Sequence, residues 1–312
     1  MTERPIGLIQ RAAERLRQQG AGAPGPGGGG GVPEVAEVAA AAPVAAPVAA
    51  VAASGPVVPP ASAAAVRDGH RVSREIKIDR QRLAKAGIIF TSTERSRVAE
   101  EFRIIIRQIL AKAEQAASEQ SGSPRLIMIT SARPREGKTF TSINIALAIA
   151  SQLDFRVLAI DCDVERQSMS SVLGIEPDRG LVDLIADDTI DMSDVLLRTD
   201  IANLTVLPAG RKRPGVPELL SSRRMRDILS EVEQRYSDRY IVIDAPPCLA
   251  TSDPSILAAM VGQIVFVVEA NRTQEAEIEE SLRLVSACPN ISLVLNKMEG
   301  STSEHFGSYG YY

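Results

Sequence analysis

The chain has 312 residues, 35 Lys and Arg against 39 Asp and Glu, no Trp and a formal net charge of −4. This balance gives no general footprint for nucleic acid. Cys162, Cys248 and Cys288 are odd in number and lack C-x-x-C spacing, which points away from a cysteine metal site and toward reduced thiols in a cytoplasmic protein.

Residues 1–20 open with a short amphipathic helix over Pro5–Gln19. Ile6, Ile9, Ala13 and Leu16 recur at helical spacing between Arg and Glu residues. Those charges interrupt any secretory signal, and the apolar face reads as a docking helix for a partner. Residues 21–75 form an Ala/Pro/Gly linker expected to be disordered. Its uncharged stretch from Val38 to Val66 contains Pro43, Pro47, Pro56, Pro59 and Pro60 and is mainly alanine, which argues against a transmembrane segment.

From residue 76 to 300 the composition is globular, and some 200 residues suffice for one α/β core. A helix is expected over Ser96–Ser118, with Val98, Phe102, Ile105, Ile109 and Leu110 on its apolar side. Strand and helix patterns then alternate. Strands are expected at Arg125–Thr130, Arg156–Ile160, Asn203–Leu207, Tyr240–Ile243, Gln263–Val268 and Ser292–Leu295. Helices are expected at Lys138–Ser151, around Met169, Val182 and Val195, and over Pro217–Tyr236, Pro254–Met260 and Gln274–Ala287. This order predicts a mainly parallel sheet with helices on both faces. Residues 301–312 lack apolar periodicity and read as a flexible tail.

Three predicted strands end in residues suited to a magnesium nucleotide, at the edge where parallel sheets bind ligands. The first is followed by Ser131-Ala-Arg-Pro-Arg-Glu-Gly-Lys-Thr139, a P-loop (Walker A) pattern with Ala132 in place of its first glycine. Backbone N–H groups of Arg133, Pro134's neighbours Arg135 and Glu136, and Gly137 through Phe140 would face phosphate. Lys138 would supply charge and Thr139 a magnesium ligand. The second strand ends in Asp161-Cys-Asp163, two acids able to bind magnesium or to accept a proton from an attacking hydroxyl. The third ends in Asp244-Ala-Pro-Pro247, as a magnesium-organising Walker B acid would, with Ser252 and Asp253 placed to cap the next helix. These residues together describe phosphoryl transfer or nucleotide hydrolysis.

The stretches Ile160-Asp-Cys-Asp-Val-Glu-Arg166 and Ile243-Asp-Ala-Pro-Pro247 resemble the second and third Walker motifs of bacterial tyrosine kinases. Leu207-Pro-Ala-Gly210, Pro217-Glu-Leu-Leu220 and Val294-Leu-Asn-Lys297 agree with that family. Gly7–Leu16, Arg82–Gly87, Glu100-Glu-Phe-Arg103 and Gly137-Lys-Thr-Phe140 resemble its exosortase-associated subgroup, which serves exopolysaccharide export. The resemblance implies a P-loop NTPase fold like that of MinD and ParA. It implies a protein-tyrosine kinase using ATP and Mg²⁺ to phosphorylate its own C-terminal tyrosines, here Tyr309, Tyr311 and Tyr312. It also implies a ring-like homo-oligomer that offers each tail to a neighbour's site, and a membrane chain-length co-polymerase protein as activator, which would hold a cytoplasmic enzyme at the inner membrane. By the same analogy Asn296 contacts adenine. Arg166 is expected either to stabilise phosphate charge or to form a surface salt bridge.

The sequence departs from the family in three places. Arg135 stands where a P-loop glycine is usual, so a positive φ there would strain it. Ile106 replaces the second basic residue of the Glu100/Arg103 helix motif, and Arg107 comes one step late. The signature lysine of ParA and MinD loops is absent, with Arg133 in its neighbourhood. A MinD/ParA-like ATPase switch and a nucleotide-gated adaptor of a membrane polysaccharide complex are the alternative readings.

Overall fold

A computed structural model describes residues 74–88, 97–118, 123–152, 154–176, 178–235 and 238–298. The expected docking helix, most of the linker and the tyrosine tail lie outside the described residues.

An eight-stranded sheet organises the described chain. Its strands are β1 (Glu75–Ile76), β2 (Leu126–Ser131), β3 (Arg156–Asp161), β4 (Leu197–Thr199), β5 (Leu204–Leu207), β6 (Arg239–Asp244), β7 (Gln263–Glu269) and β8 (Ile291–Asn296). Their spatial order is β1-β4-β5-β3-β6-β2-β7-β8. Every neighbouring pair is parallel except β4 with β5. The central strands are apolar because both faces are covered. Leu126 and Met128 enter one core with Leu158, Ile160, Ile241, Ile243 and Phe266. Ile127 and Ile129, one residue out of phase, enter the other with Val157, Ala159, Val242 and Val265.

The second core is closed by α1 (Arg80–Lys85), α2 (Arg97–Ser118), α3 (Lys138–Ala150) and α4 (Ser168–Leu173). The first is closed by α5 (Leu181–Ala186), α6 (Met192–Val195), α7 (Val216–Leu220), α8 (Arg223–Arg235), α9 (Asp253–Ala258) and α10 (Glu275–Leu284). Phe102 of α2 and Phe140 of α3 meet with ring centroids 5.9 Å apart. Thus the helix bearing the P-loop lysine is braced from behind by the long helix that precedes it.

The expected alternation is present, with boundaries within a few residues. Three elements went unpredicted. Strand β4 is too short for a period to register, and it pairs antiparallel with β5 through Leu197 opposite Val206. Strand β1 has two residues and starts one position inside the expected linker, aligned by Arg198 N donating to the Arg74 carbonyl at 2.9 Å. Helix α1 is started by Asp79, whose carboxylate accepts from the N–H groups of Gln81 and Arg82 at 3.0 Å each. One local expectation is corrected. Ser252 occupies the N-cap of α9 but makes no capping bond through its side chain, and the helix instead begins Asp253-Pro254, with proline where no donor is needed.

Among the described residues no helix is long and apolar enough to cross a membrane. All three cysteines are free and buried.

Candidate active site

The register of the central strands assembles the site. In the β3–β6 pair, Ile160 lies opposite Ile243 and Asp161 opposite Asp244. In the β2–β6 pair, Ile129 lies opposite Asp244. All three strands therefore deliver their last residues to one edge. The loop of residues 132–137 leaves β2 there and runs into α3.

Gly137 makes the turn. Its φ is 103°, and a Cβ built on it would stand 2.0 Å from Asn296 Nδ2. Only glycine fits this backbone at this distance. Lys138 and Thr139 follow as the first residues of α3. Lys138 is buried, with Nζ 2.7 Å from Asp163 Oδ2 and 3.6 Å from Asp244 Oδ1. Thr139 Oγ1 donates to Asp244 Oδ2 at 2.7 Å. Ser142, one turn along from Lys138, places Oγ 3.1 Å from Asp244 Oδ1 and 2.9 Å from the Lys138 carbonyl. Sequence reasoning missed Ser142, although i, i+4 spacing from Lys138 was the available signal.

The two acids after β3 have different surroundings. Asp161 turns toward α4, where Oδ2 accepts from Ser170 N and Ser170 Oγ, both at 3.1 Å, and Oδ1 accepts from Asp163 N at 3.2 Å. Burial, and then the charge of Asp244, push the Asp161 carboxyl up to about 7. Burial likewise raises Asp244, with Lys138 and the Thr139 hydroxyl pulling against it. Burial would lower Lys138, but the charges of Asp244 and Asp163 outweigh it and hold the ammonium above its ordinary value.

Three buried carboxylates thus surround one buried ammonium, and with all groups ionised they leave an excess of two negative charges (three minus one). Among the described residues no three His, Cys, Asp or Glu side chains converge as a ready metal cage. The expected ligand set of Thr139, Asp161, Asp163 and Asp244 is therefore only partly gathered. Thr139 and Asp244 are in contact, Asp163 reaches them through Lys138, and Asp161 is engaged with Ser170. A hydroxyl and a carboxylate on an anionic cluster suit a hard divalent ion that keeps part of its water shell.

The P-loop is clasped from its other side. Buried Glu136 accepts from Arg133 N at 2.8 Å and from the Thr273 hydroxyl. Asn296 Nδ2 donates to the Glu136 carbonyl at 2.9 Å, and Lys297 Nζ to the Arg135 carbonyl at 2.7 Å. Lys297 also pairs with Glu269 at 3.3 Å. Asn296, expected at adenine, is seen bracing the loop. Arg133 is an exposed loop residue paired with Glu277 on α10, so its guanidinium is engaged away from Lys138. Arg135 has φ 71°, the left-handed region that costs a non-glycine residue on the order of 1 kcal/mol or more.

A cavity of about 210 Å³ opens over the loop. Gly137, Lys138, Thr139, Phe140, Arg135 and Arg166 line it, with Ala86 and Ile88 arriving from the end of α1 and Ser168 and Val172 from α4. Pro134 is half-buried in the loop. Tyr309, Tyr311 and Tyr312 lie outside the described residues.

Residues 124–286 match the sequence profile of a family described as an AAA domain. The tyrosine-protein kinase YwqD of Bacillus subtilis strain 168 is 30% identical over 186 residues, covering 60% of this chain and 76% of that protein. The crystal structure of the VpsO kinase domain superposes with a TM-score of 0.53 at 30% identity, over 65% of this chain and 100% of that one. The chimerical protein CapA2B2 superposes with a TM-score of 0.60 over 73% of this chain and 95% of its own, and at 24% identity it speaks to the fold.

Proposed function

The chain belongs to the bacterial tyrosine kinases, and on that premise we propose that it transfers the γ-phosphoryl group of ATP to Tyr309, Tyr311 and Tyr312 of its own C-terminal segment. The observation that carries this reading is the cluster of Lys138, Thr139 and Asp244 at the P-loop, all within 3.6 Å of one another, beside a second acidic strand end.

The residues divide the work by their chemistry. The amide groups at the start of α3 bind phosphate, aided by the helix terminus. Lys138, held charged, faces the β and γ phosphates. Thr139 and Asp244 would hold Mg²⁺, which supplies charge neutralisation on the phosphate oxygens when bound. Asp163 sits beside Lys138 and is the acid we assign to accept the phenol proton as the tyrosine oxygen forms its bond to phosphorus and ADP leaves. Asp161, locked to Ser170, positions the turn that carries Asp163.

Regulation of exopolysaccharide synthesis, activation by a membrane co-polymerase protein, and a ring in which each tail enters a neighbour's site complete the reading, and they rest on the sequence resemblance. The helix motif supports the ring. Glu100 and Arg103 form an ion pair on α2, and Arg107, seven residues on from Glu100, falls on the same exposed face. Ile106 is turned into the core.

The test is phosphotyrosine after incubation with Mg-ATP, comparing wild type with Lys138→Met and mapping phosphate on the last four residues by mass spectrometry. Labelled tyrosines in the wild type and none in the variant are expected. Nucleotide turnover unchanged by truncation after Ser303, without phosphotyrosine even when the activator's cytoplasmic segment is present, would select the ATPase-switch reading instead.

A further inference from the structure

The geometry points to Arg135 and Arg166 as a pair of phosphate-binding side chains that, with Lys138, present three cations to the nucleotide; this rests on the kinase reading of the same site. Both residues are exposed and line the cavity over the P-loop together with Lys138 and Thr139, which begin α3. They come from separate segments, one from the P-loop and the other from the turn after Asp163. That turn is fixed by Arg166 N, which donates to the Asp163 carbonyl at 3.1 Å.

Three observations carry the assignment. Arg135 adopts φ 71°, where glycine would sit at no steric cost, and strain of this kind persists where surrounding structure enforces it. The enforcing group is Lys297, whose ammonium grips the Arg135 carbonyl while Asn296 holds the next one. Second, among the described residues neither guanidinium has an ion-pair or hydrogen-bond partner, whereas the nearby Arg133 and Arg272 are paired with Glu277 and Glu269. Third, the charge balance favours it. Lys138 is already shared between Asp163 and Asp244 inside an acid-rich cluster, so even with a bound Mg²⁺ part of the polyphosphate charge is left for other cations. Two arginine forks on the open side would add charge of the type that binds phosphate oxygens bidentately.

Arg135→Gly separates this role from a structural one, because it removes the guanidinium and relieves the backbone together. Arg135→Lys keeps a charge without the fork, and Arg166→Met tests the second group. The readouts are melting temperature without nucleotide, equilibrium affinity for Mg-ATPγS, and the rate of phosphotyrosine formation. Arg135→Gly should melt no lower than wild type yet lose affinity or rate by on the order of tenfold to a hundredfold, as expected for a hydrogen-bonded charge. Arg135→Lys should fall between, and Arg166→Met should show a loss of similar size. Arg135→Gly and Arg166→Met proteins that bind and transfer as well as wild type would overturn the assignment. ATPγS binding weakened by both substitutions, in a wild type that forms no phosphotyrosine, would sink the kinase reading and leave the arginine pair standing.

Discussion

Gly137 has neither the backbone nor the space for a side chain, because its φ is 103° and Asn296 stands where a Cβ would go. Gly137→Ala should therefore cost about 1–3 kcal/mol from the backbone alone, and it should abolish ATP binding measured by equilibrium titration. Removing the Asn296 side chain as well should recover little, since it frees the space and leaves the φ. Lys138→Met tests a different property of the same turn. It removes the cation from three buried acids, and phosphotyrosine formation should drop below detection while the far-UV circular dichroism stays that of the wild type. Lys138, Thr139 and Asp244 were legible in the sequence because strand, loop and helix follow one another there in fixed order. The roles of Thr273 and Lys297 were not, because their partners are Glu136 and Arg135 and only folding joins residues 137 or 162 positions apart. Arg135 was readable as an anomaly, and the structure supplies its left-handed φ.

At the scale of elements, α2 has two faces with separate duties. Its inner face packs Phe102 on Phe140, directly behind the P-loop helix. Phe102→Ala should cost about 3–5 kcal/mol in chemical denaturation, and the loss should fall on the whole fold because the site and the core share α3. Its outer face carries Glu100, Arg103 and Arg107. A reversal of charge at Arg103 and Arg107 together should leave the melting temperature within a few degrees and shift sedimentation toward the monomer; an unchanged sedimentation profile would remove α2 from the subunit contact. The linear sequence makes Arg107 look out of register by one. On the helix, the step from Glu100 to Arg107 spans nearly two full turns and restores the alignment. Long elements of this kind were legible from their periodicity. Strands β1 and β4 were not, since two or three residues hold no period and their pairing depends on each other.

For the molecule as a whole, the sheet order places the P-loop strand β2 between β6 and β7, and β8 at the far edge beyond β7. The chain then leaves the sheet at Asn296 and Lys297, which are the residues holding the loop. Truncation after Ser303 should leave ATP affinity within about twofold and remove all phosphotyrosine. The expected mostly parallel fold was legible because alternating buried strands and amphipathic helices admit few topologies. The tail's destination was not, because its residues carry no apolar pattern to fix them. Tyr309 lies 12 residues beyond Lys297 (309 minus 297), so its Cα reaches at most roughly 40 Å from the clasp. For a flexible tether of that length, the effective concentration at the tail's own site is on the order of millimolar. Intramolecular transfer thus starts with a large statistical advantage over transfer between subunits. For the neighbour to be served first, the direction of approach must outweigh proximity. Mixing Lys138→Met full-length protein with tail-truncated wild type measures which prevails: phosphate on the Lys138→Met tail marks transfer between copies, and none marks a kinase that labels only itself.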